Sequence, residues 1–277
     1  MFWKFLFVFG VFVEVNGVPT PVKDTPFIIG GVTAPEAYAP HMAALVFGER
    51  VKQIMCGGSI IGLRLVLTAA HCIEPLLVGT ELIPSFRILV GSNKWNSGGT
   101  VAKVKDYIIH PKWDSKNIKN DIGVVIVKKK FELNDRVAII SLDFGLVGGN
   151  EKASVTGWGA TGPNEVDNVV NLAPTPDDLQ LLYVNTLSHR QCQEQMKSVA
   201  GDIALPIDRD VEICTFHSYK HGLCIGDSGS ALVIVSTGKQ VGIVSWGYNC
   251  ADGAPDVYVR ISGFKHFLCP IMSKYED

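Results

Sequence analysis

An all-β fold, a barrel or a sandwich, is the class this sequence predicts. Three observations lead there. Short apolar or β-branched runs recur from Met42 to Ile261; Gly, Asn, Pro and Asp separate them; and no helical periodicity intervenes.

In chain order, the first segment is Met1-Phe2-Trp3-Lys4, leading into the apolar run Phe5 to Val13 and the small-residue site Val15-Asn16-Gly17. This is the pattern of a secretory signal peptide over residues 1–17. A membrane anchor needs about 20 apolar residues, and Glu14 and Asn16 end the run too early. No later segment is long and apolar enough to span a bilayer. A polar stretch with three prolines, Val18 to Phe27, follows and stops at Ile28-Ile29-Gly30-Gly31.

The predicted strands of the first half are Met42 to Phe47, Ser59 to Leu67, Phe86 to Val90, Val101 to Ile109 and Ile122 to Val127. Those of the second half are Lys152 to Trp158, Leu179 to Leu187, Val211 to Phe216, Ala231 to Val235, Val241 to Trp246 and Asp256 to Ile261. Each half thus holds about six strand candidates, with no internal sequence repeat. Two polar stretches, Gly162 to Asp178 and Lys197 to Asp210, read as long functional or mobile loops. The single helix candidate is about 263–272, weakened by Pro270.

With 277 residues, 47% hydrophobic and 19% charged, the chain can bury a substantial core. Its net charge of -2 argues against a nucleic-acid partner, which requires a basic face to neutralise phosphates. The seven cysteines are Cys56, Cys72, Cys192, Cys214, Cys224, Cys250 and Cys269. In an oxidising compartment they read as disulfides with one left over, and sequence alone does not pair them. Zinc is the alternative, disfavoured because no close C-x-x-C pair is present.

Three segments carry chemistry. Leu67-Thr68-Ala69-Ala70-His71-Cys72 places a histidine straight after a strand. Asn120-Asp121-Ile122-Gly123 places an acid at the start of one. Cys224-Ile225-Gly226-Asp227-Ser228-Gly229-Ser230 is a glycine-rich turn around a serine. Taken singly, each has a plain structural explanation: a core histidine, a turn aspartate, a tight turn.

Together, in the order His, Asp, Ser, they resemble the chymotrypsin/trypsin family of serine proteases. Ile28-Ile29-Gly30-Gly31, Cys56-Gly57-Gly58-Ser59, Gly157-Trp158-Gly159, Val244-Ser245-Trp246-Gly247 and Pro255-Asp256-Val257-Tyr258 extend the resemblance over Ile28 to about residue 272. It implies two six-stranded antiparallel Greek-key barrels, about 28–142 and 143–262, with a C-terminal helix at about 263–272. Residues 1–17 would be the signal peptide, 18–27 an activation propeptide and 28–277 the peptidase domain. It further implies a triad of His71, Asp121 and Ser228, the arrangement that serves as the standard worked example of nucleophilic catalysis. The oxyanion hole would be the N–H groups of Gly226 and Ser228, and an activation ion pair would join the Ile28 amine to Asp227. Substrate would sit against Gly222, Leu223, Ser245, Trp246, Gly247 and Asp256. The implied disulfides are Cys56–Cys72, Cys192–Cys214 and Cys224–Cys250, leaving Cys269 free as a small buried hydrophobe. Protein or peptide substrates, proteinaceous inhibitors, a secreted monomer and no cofactor complete the expectation.

The sequence departs from the family in three places. Phe27, not Arg or Lys, precedes Ile28, which predicts activation by a chymotrypsin-like activity, the enzyme itself included. Gly222 stands at the pocket floor where trypsin-like members carry Asp, while Asp256 occupies a position at the back that is commonly glycine. The expected P1 preference is therefore apolar or broad; the alternative is Lys/Arg selection through Asp256. Ser230-Ala231 replaces the usual Gly-Pro, which leaves open a catalytically silent homologue acting as a binding module in a defence cascade. The acidic ligands of a calcium loop are absent from Ser92 to Thr100, so no structural calcium is expected. No Asn-x-Ser/Thr sequon occurs.

Overall fold

The structure is a computed structural model that describes residues 28–160, 163–166, 169–172, 175–248 and 250–276, without side chains over 163–172. The predicted signal peptide and propeptide, Phe27 included, lie outside the described residues.

Six strands close the first barrel: β1 (Met42–Phe47), β2 (Gln53–Gly62), β3 (Leu65–Thr68), β4 (Arg87–Val90), β5 (Thr100–Ile109) and β6 (Gly123–Val127). Their order around the barrel is β1-β2-β3-β6-β5-β4, with β4 returning to β1. The second half contributes β7 (Lys152–Gly157), β8 (Gln180–Leu187), β9 (Glu212–Phe216), β10 (Ala231–Ile234), β11 (Gln240–Trp246) and β12 (Asp256–Arg260). These run β8-β7-β10-β11-β12-β9, and the β8–β9 pairing closes the ring. Numbered within each half, the two circuits are identical. All their pairings are antiparallel, so two Greek-key barrels stand side by side although no sequence repeat announces them.

Closure explains the core. Leu45, Ile60, Leu67, Ile88, Val124 and Ile126 fill the first barrel, and Val155, Leu182, Ile213, Leu232 and Tyr258 the second. A barrel interior takes alternate side chains from every strand, and closing the ring leaves no unpaired edge. Trp158, 1% exposed, lies against Ala44, Leu89 and Leu181 between the barrels, its Nε1 donating to the Asn93 carbonyl at 2.8 Å.

Several sequence expectations are corrected. Ser59 to Leu67 is not one strand: β2 and β3 flank a tight turn at Leu63-Arg64. The second polar stretch is no simple loop, because α2 (His189–Ala200) runs into it. That helix begins at a capping box in which Ser188 and Gln191 satisfy each other's backbone N–H groups, and it buries Cys192 and Met196. The charged residues on its outer face masked this narrow apolar side. Within Gly162 to Asp178, the backbone forms a two-stranded hairpin, Pro163–Val166 with Val169–Leu172. Earlier in the chain α1 (Ala70–Ile73) is a single turn, and the last helix, α3 (Lys265–Lys274), contains Pro270. The disulfides are Cys56–Cys72, Cys192–Cys214 and Cys224–Cys250; Cys269 is free but partly exposed, not the buried hydrophobe expected, because the buried side of α3 is taken by Leu268 and Ile271.

Candidate active site

The three chemical segments meet where the barrels face each other. His71 lies in α1, just after β3, and Asp121 stands two residues before β6; β3 and β6 are paired neighbours. Pairing Thr68 with Gly123 therefore sets the two side chains close together. Asp121 is 1% exposed, and three donors surround its carboxylate. Oδ1 accepts from the His71 amide at 2.9 Å; Oδ2 accepts from Ser245 Oγ at 2.6 Å and faces His71 Nδ1 at 2.8 Å. A ring held through Nδ1–H by a carboxylate leaves Nε2 as its acceptor. The His71 side chain keeps 32% exposure, so that nitrogen can meet a ligand.

Ser228 arrives from the second barrel on the turn before β10. Its carbonyl accepts from Gly57 N at 2.8 Å, tying the turn to β2 beside Cys56. Cys56 is bonded to Cys72, whose Sγ lies 3.8 Å from His71 Nε2. A Cβ on Gly229 would stand 2.4 Å from the Gly57 carbonyl, so only glycine permits this approach. Among the described residues no hydrogen bond joins Ser228 Oγ to His71. Such contacts commonly tighten only with substrate present. Asp227 N donates to Cys224 O at 3.1 Å, whereas the N–H groups of Gly226 and Ser228 on either side find no partner among the described residues. Gly226 has φ +102°, a left-handed conformation that glycine adopts freely. The turn thus holds two spare donors beside the serine.

Asp227 is fully buried. Its carboxylate fits a cradle formed by Gly157 and Gly159, where any Cβ would stand within 2.3 Å of it, and accepts from Gly159 N at 2.8 Å and Cys224 N at 3.0 Å. Burial pushes its pKa up to about 7 against the opposing pull of these two N–H groups. Ile28, also 0% exposed, packs in the second barrel's core with Leu223 and Tyr258, and Ile29 bridges to Gly222. In the intact chain the Ile28 nitrogen is a peptide amide and carries no charge.

Beside Ser228 opens a hollow of about 300 Å³ lined by Leu223, Ser245, Trp246, Gly247 and Asp256 among others. Asp256 is one of the lining residues, and its Oδ2 accepts from Leu223 N at 3.2 Å. Gly222 lies close against that carboxyl, where a Cβ would stand 3.1 Å from Oδ2; one on Gly247 would make only ordinary contact with Oδ1 at 3.6 Å. Burial of the carboxyl, reinforced by the neighbouring Asp227, raises its pKa to about 7, although the hydrogen bond from Leu223 opposes this. The residue as a whole keeps partial exposure, and that exposure faces the hollow.

Sequence reasoning did not find the Ser245–Asp121 bond or a second buried acid, Glu212. The latter is 5% exposed and accepts from Lys119 Nζ at 2.7 and 2.8 Å, Trp246 Nε1 at 3.0 Å and Asp208 N at 2.6 Å. It ties a wall of the hollow to the loop that carries Asp121. That loop is strained, since Ile118 and Asn120 have φ of 51° and 56°, and such backbone persists only where its surroundings dictate it. The available signal was an acid inside the apolar run Val211 to Phe216. Cys56, His71 and Cys72 bring donor atoms within 4.8 Å, but both sulfurs are spent in a disulfide and do not form a metal site.

The trypsin family model matches residues 28–268. The chain is 33% identical over 244 residues to trypsin delta of Drosophila erecta, covering 87% of each chain. It is 32% identical over 242 residues to chymotrypsin-2 of Vespa crabro, covering 87% of this chain and 98% of that one. Relatives named for different specificities are thus about equally similar. From barrels, site and comparisons together, the chain belongs to the trypsin family and is a serine endopeptidase.

Proposed function

We propose that the protein is a secreted endopeptidase, made as a zymogen, in which His71, Asp121 and Ser228 are the catalytic triad. The observation that carries this reading is the buried Asp121 carboxylate, which takes two hydrogen bonds from His71 and a third from Ser245. A serine hydroxyl is a poor nucleophile at neutral pH. His71 Nε2 takes the Ser228 Oγ proton as Oγ bonds to the substrate carbonyl carbon, and Asp121 stabilises the resulting imidazolium. The carbonyl oxygen becomes an oxyanion beside the spare N–H groups of Gly226 and Ser228; one such donor is typically worth about 10²–10³ in rate. Collapse breaks the C–N bond, and His71 returns the proton to the leaving amine. Water, deprotonated by His71, then releases the acyl group and restores Ser228. At Ser230 the backbone bonds of the turn are made, from Ser230 N to Asp227 O at 3.1 Å and from Val244 N to Ser230 O at 2.9 Å, while its buried hydroxyl has no partner among the described residues. The His71–Asp121–Ser245 hydrogen bonds favour an active enzyme over a silent binding module.

Cleavage between Phe27 and Ile28 would free an α-amine for Asp227. Support comes from an acid held by backbone donors alone, with a raised pKa, and from the burial of Ile28 in the same barrel. The aromatic residue before the bond points to a chymotrypsin-like activator. Three disulfides and the apolar leader support secretion.

For P1 we propose a broad preference. A hollow of about 300 Å³ accepts a long or aromatic side chain, and Asp256 in its lining, half-protonated near neutrality, adds tolerance for Lys and Arg as pH rises. The observation favouring a strictly basic preference is the absence of a cation beside Asp256 among the described residues. A panel of P1-varied peptides decides between them: comparable cleavage after Leu, Phe and Lys supports breadth, and cleavage after Lys and Arg alone refutes it. N-terminal sequencing of the active form is expected to begin at Ile28; any other start refutes the activation site.

A further inference from the structure

The outer face of the first barrel carries a row of cations that catalysis does not use. Arg87 in β4 is the direct cross-strand partner of Lys103 in β5. Lys128, at the end of β6, donates its amide to the Lys103 carbonyl at 2.8 Å. Arg64, entering β3, reaches the Lys128 carbonyl with its guanidinium at 2.5 Å and accepts from Val127 N at 2.9 Å. Arg87, Lys103 and Lys128 are thus successive cross-strand neighbours, about 4.8 Å apart, while Arg64 stands opposite Val127 at the end of the row; the Arg87 guanidinium also donates to the Pro84 and Phe86 carbonyls. Lys105, Lys129 and Lys130 flank it and are exposed.

Like charges placed opposite each other across strands destabilise a sheet, so packing gives no reason for this alignment. Three acids, Glu81, Asp106 and Glu132, line the hollows beside the row. Among the described residues, none of them pairs with these seven cations. The concentration is local, because the whole chain has a net charge of -2. It is also remote from the triad: Lys128 lies seven residues along β6 from Asp121, roughly 23 Å at strand rise. Next to the row opens a hollow of about 440 Å³ with apolar walls from Val90, Val101, Phe131 and Val137.

We propose that this face is a docking site for an acidic polypeptide segment carrying an apolar residue: carboxylates lie along the row and the apolar side chain enters the hollow. A sulfated glycan would match the charges but leave the apolar walls unused. As an exosite, the face would hold a substrate whose acidic segment lies some 20 Å from the bond being cut; that consequence rests on the peptidase reading, whereas the docking itself does not.

The test uses full-length Ser228→Ala protein and a fluorescein-labelled peptide of glutamates around a single phenylalanine, followed by anisotropy. Binding is expected, to weaken at least tenfold in Lys103→Glu/Lys128→Glu, and to persist in Lys239→Glu/Lys265→Glu. Equal binding by both reversed variants, or equal competition by a peptide with serines for glutamates, overturns the proposal. So does binding of a heparin oligosaccharide where the peptide fails. In the wild-type background, Lys103→Glu/Lys128→Glu should hydrolyse a short uncharged peptide normally, which establishes folding. It should lose the tenfold lower KM expected for the same peptide with an acidic extension. If no variant hydrolyses anything, the peptidase reading fails while the binding result stands.

Discussion

Asp227 offers a quantitative prediction about the uncleaved chain. Its pKa rises from an ordinary 3.8 to about 7, and at about 1.36 kcal/mol per pH unit this amounts to roughly 4 kcal/mol. The sign follows from proton counting. Between about pH 4 and pH 7 the folded precursor keeps a proton that the unfolded chain has lost, so stability falls as pH rises through that window. Under the activation proposed above, cleavage would place an ammonium beside the carboxylate, lower its pKa and flatten the dependence. The perturbation is Asp227→Asn in the Ser228→Ala chain, where self-digestion cannot intervene. Asparagine must turn an NH₂ toward one of two backbone donors, Gly159 N or Cys224 N, so the substitution itself costs about 1–3 kcal/mol at every pH. The slope, rather than the level, is therefore diagnostic. Urea unfolding at intervals from about pH 4 to pH 8 should show the uncleaved Asp227 chain losing on the order of 4 kcal/mol more than the Asn variant. Asp256 adds a slope that Asp227 itself reinforces, so both chains are compared in an Asp256→Asn background, where that contribution is absent. Equal slopes for the two uncleaved chains, or no flattening on cleavage, would refute the reasoning.

Further outcomes follow from the same geometry. Ser245→Ala removes one of three hydrogen bonds to Asp121 and is expected to lower kcat/KM about tenfold, a loss near 1.4 kcal/mol, measured on any good peptide substrate. The ratio of kcat/KM for P1 Lys to P1 Leu should rise about tenfold between pH 6 and pH 8.5 as Asp256 ionises, and Asp256→Asn should abolish the rise. Lys119→Met leaves Glu212 buried without its cation and should destabilise the fold by roughly 3 kcal/mol in urea unfolding, the low end for a buried pair because Lys119 keeps some exposure.

Most strands were legible because each is a short apolar or β-branched run bounded by turn-forming residues. The break at Leu63-Arg64 was not, since apolar residues continue on both sides of the turn and hide it. α2 was missed because its buried face is only Cys192 and Met196; the Ser188-x-x-Gln191 capping box was the better signal. His71, Asp121 and Ser228 could be chosen as candidates from their motifs. What brings the first two together, the β3–β6 pairing, is long-range and left no local trace. Ser245 was assigned to the substrate wall, and its hydroxyl turns out to point at Asp121 as well. Gly222 and Asp256, far apart in sequence, were suspected of sharing a pocket. Only the fold shows that a Cβ at 222 would come within 3.1 Å of the Asp256 carboxyl and press on it.

The central claim is that Ser228 is a nucleophile activated by His71. Its most direct test is labelling of the cleaved protein with a fluorophosphonate, read by peptide mapping, alongside His71→Ala and Ser228→Ala. The expected result is one phosphonate on Ser228, formed far more slowly without His71 and absent without the serine. Failure of the cleaved wild-type protein to label, or a label on any other residue, would contradict the account.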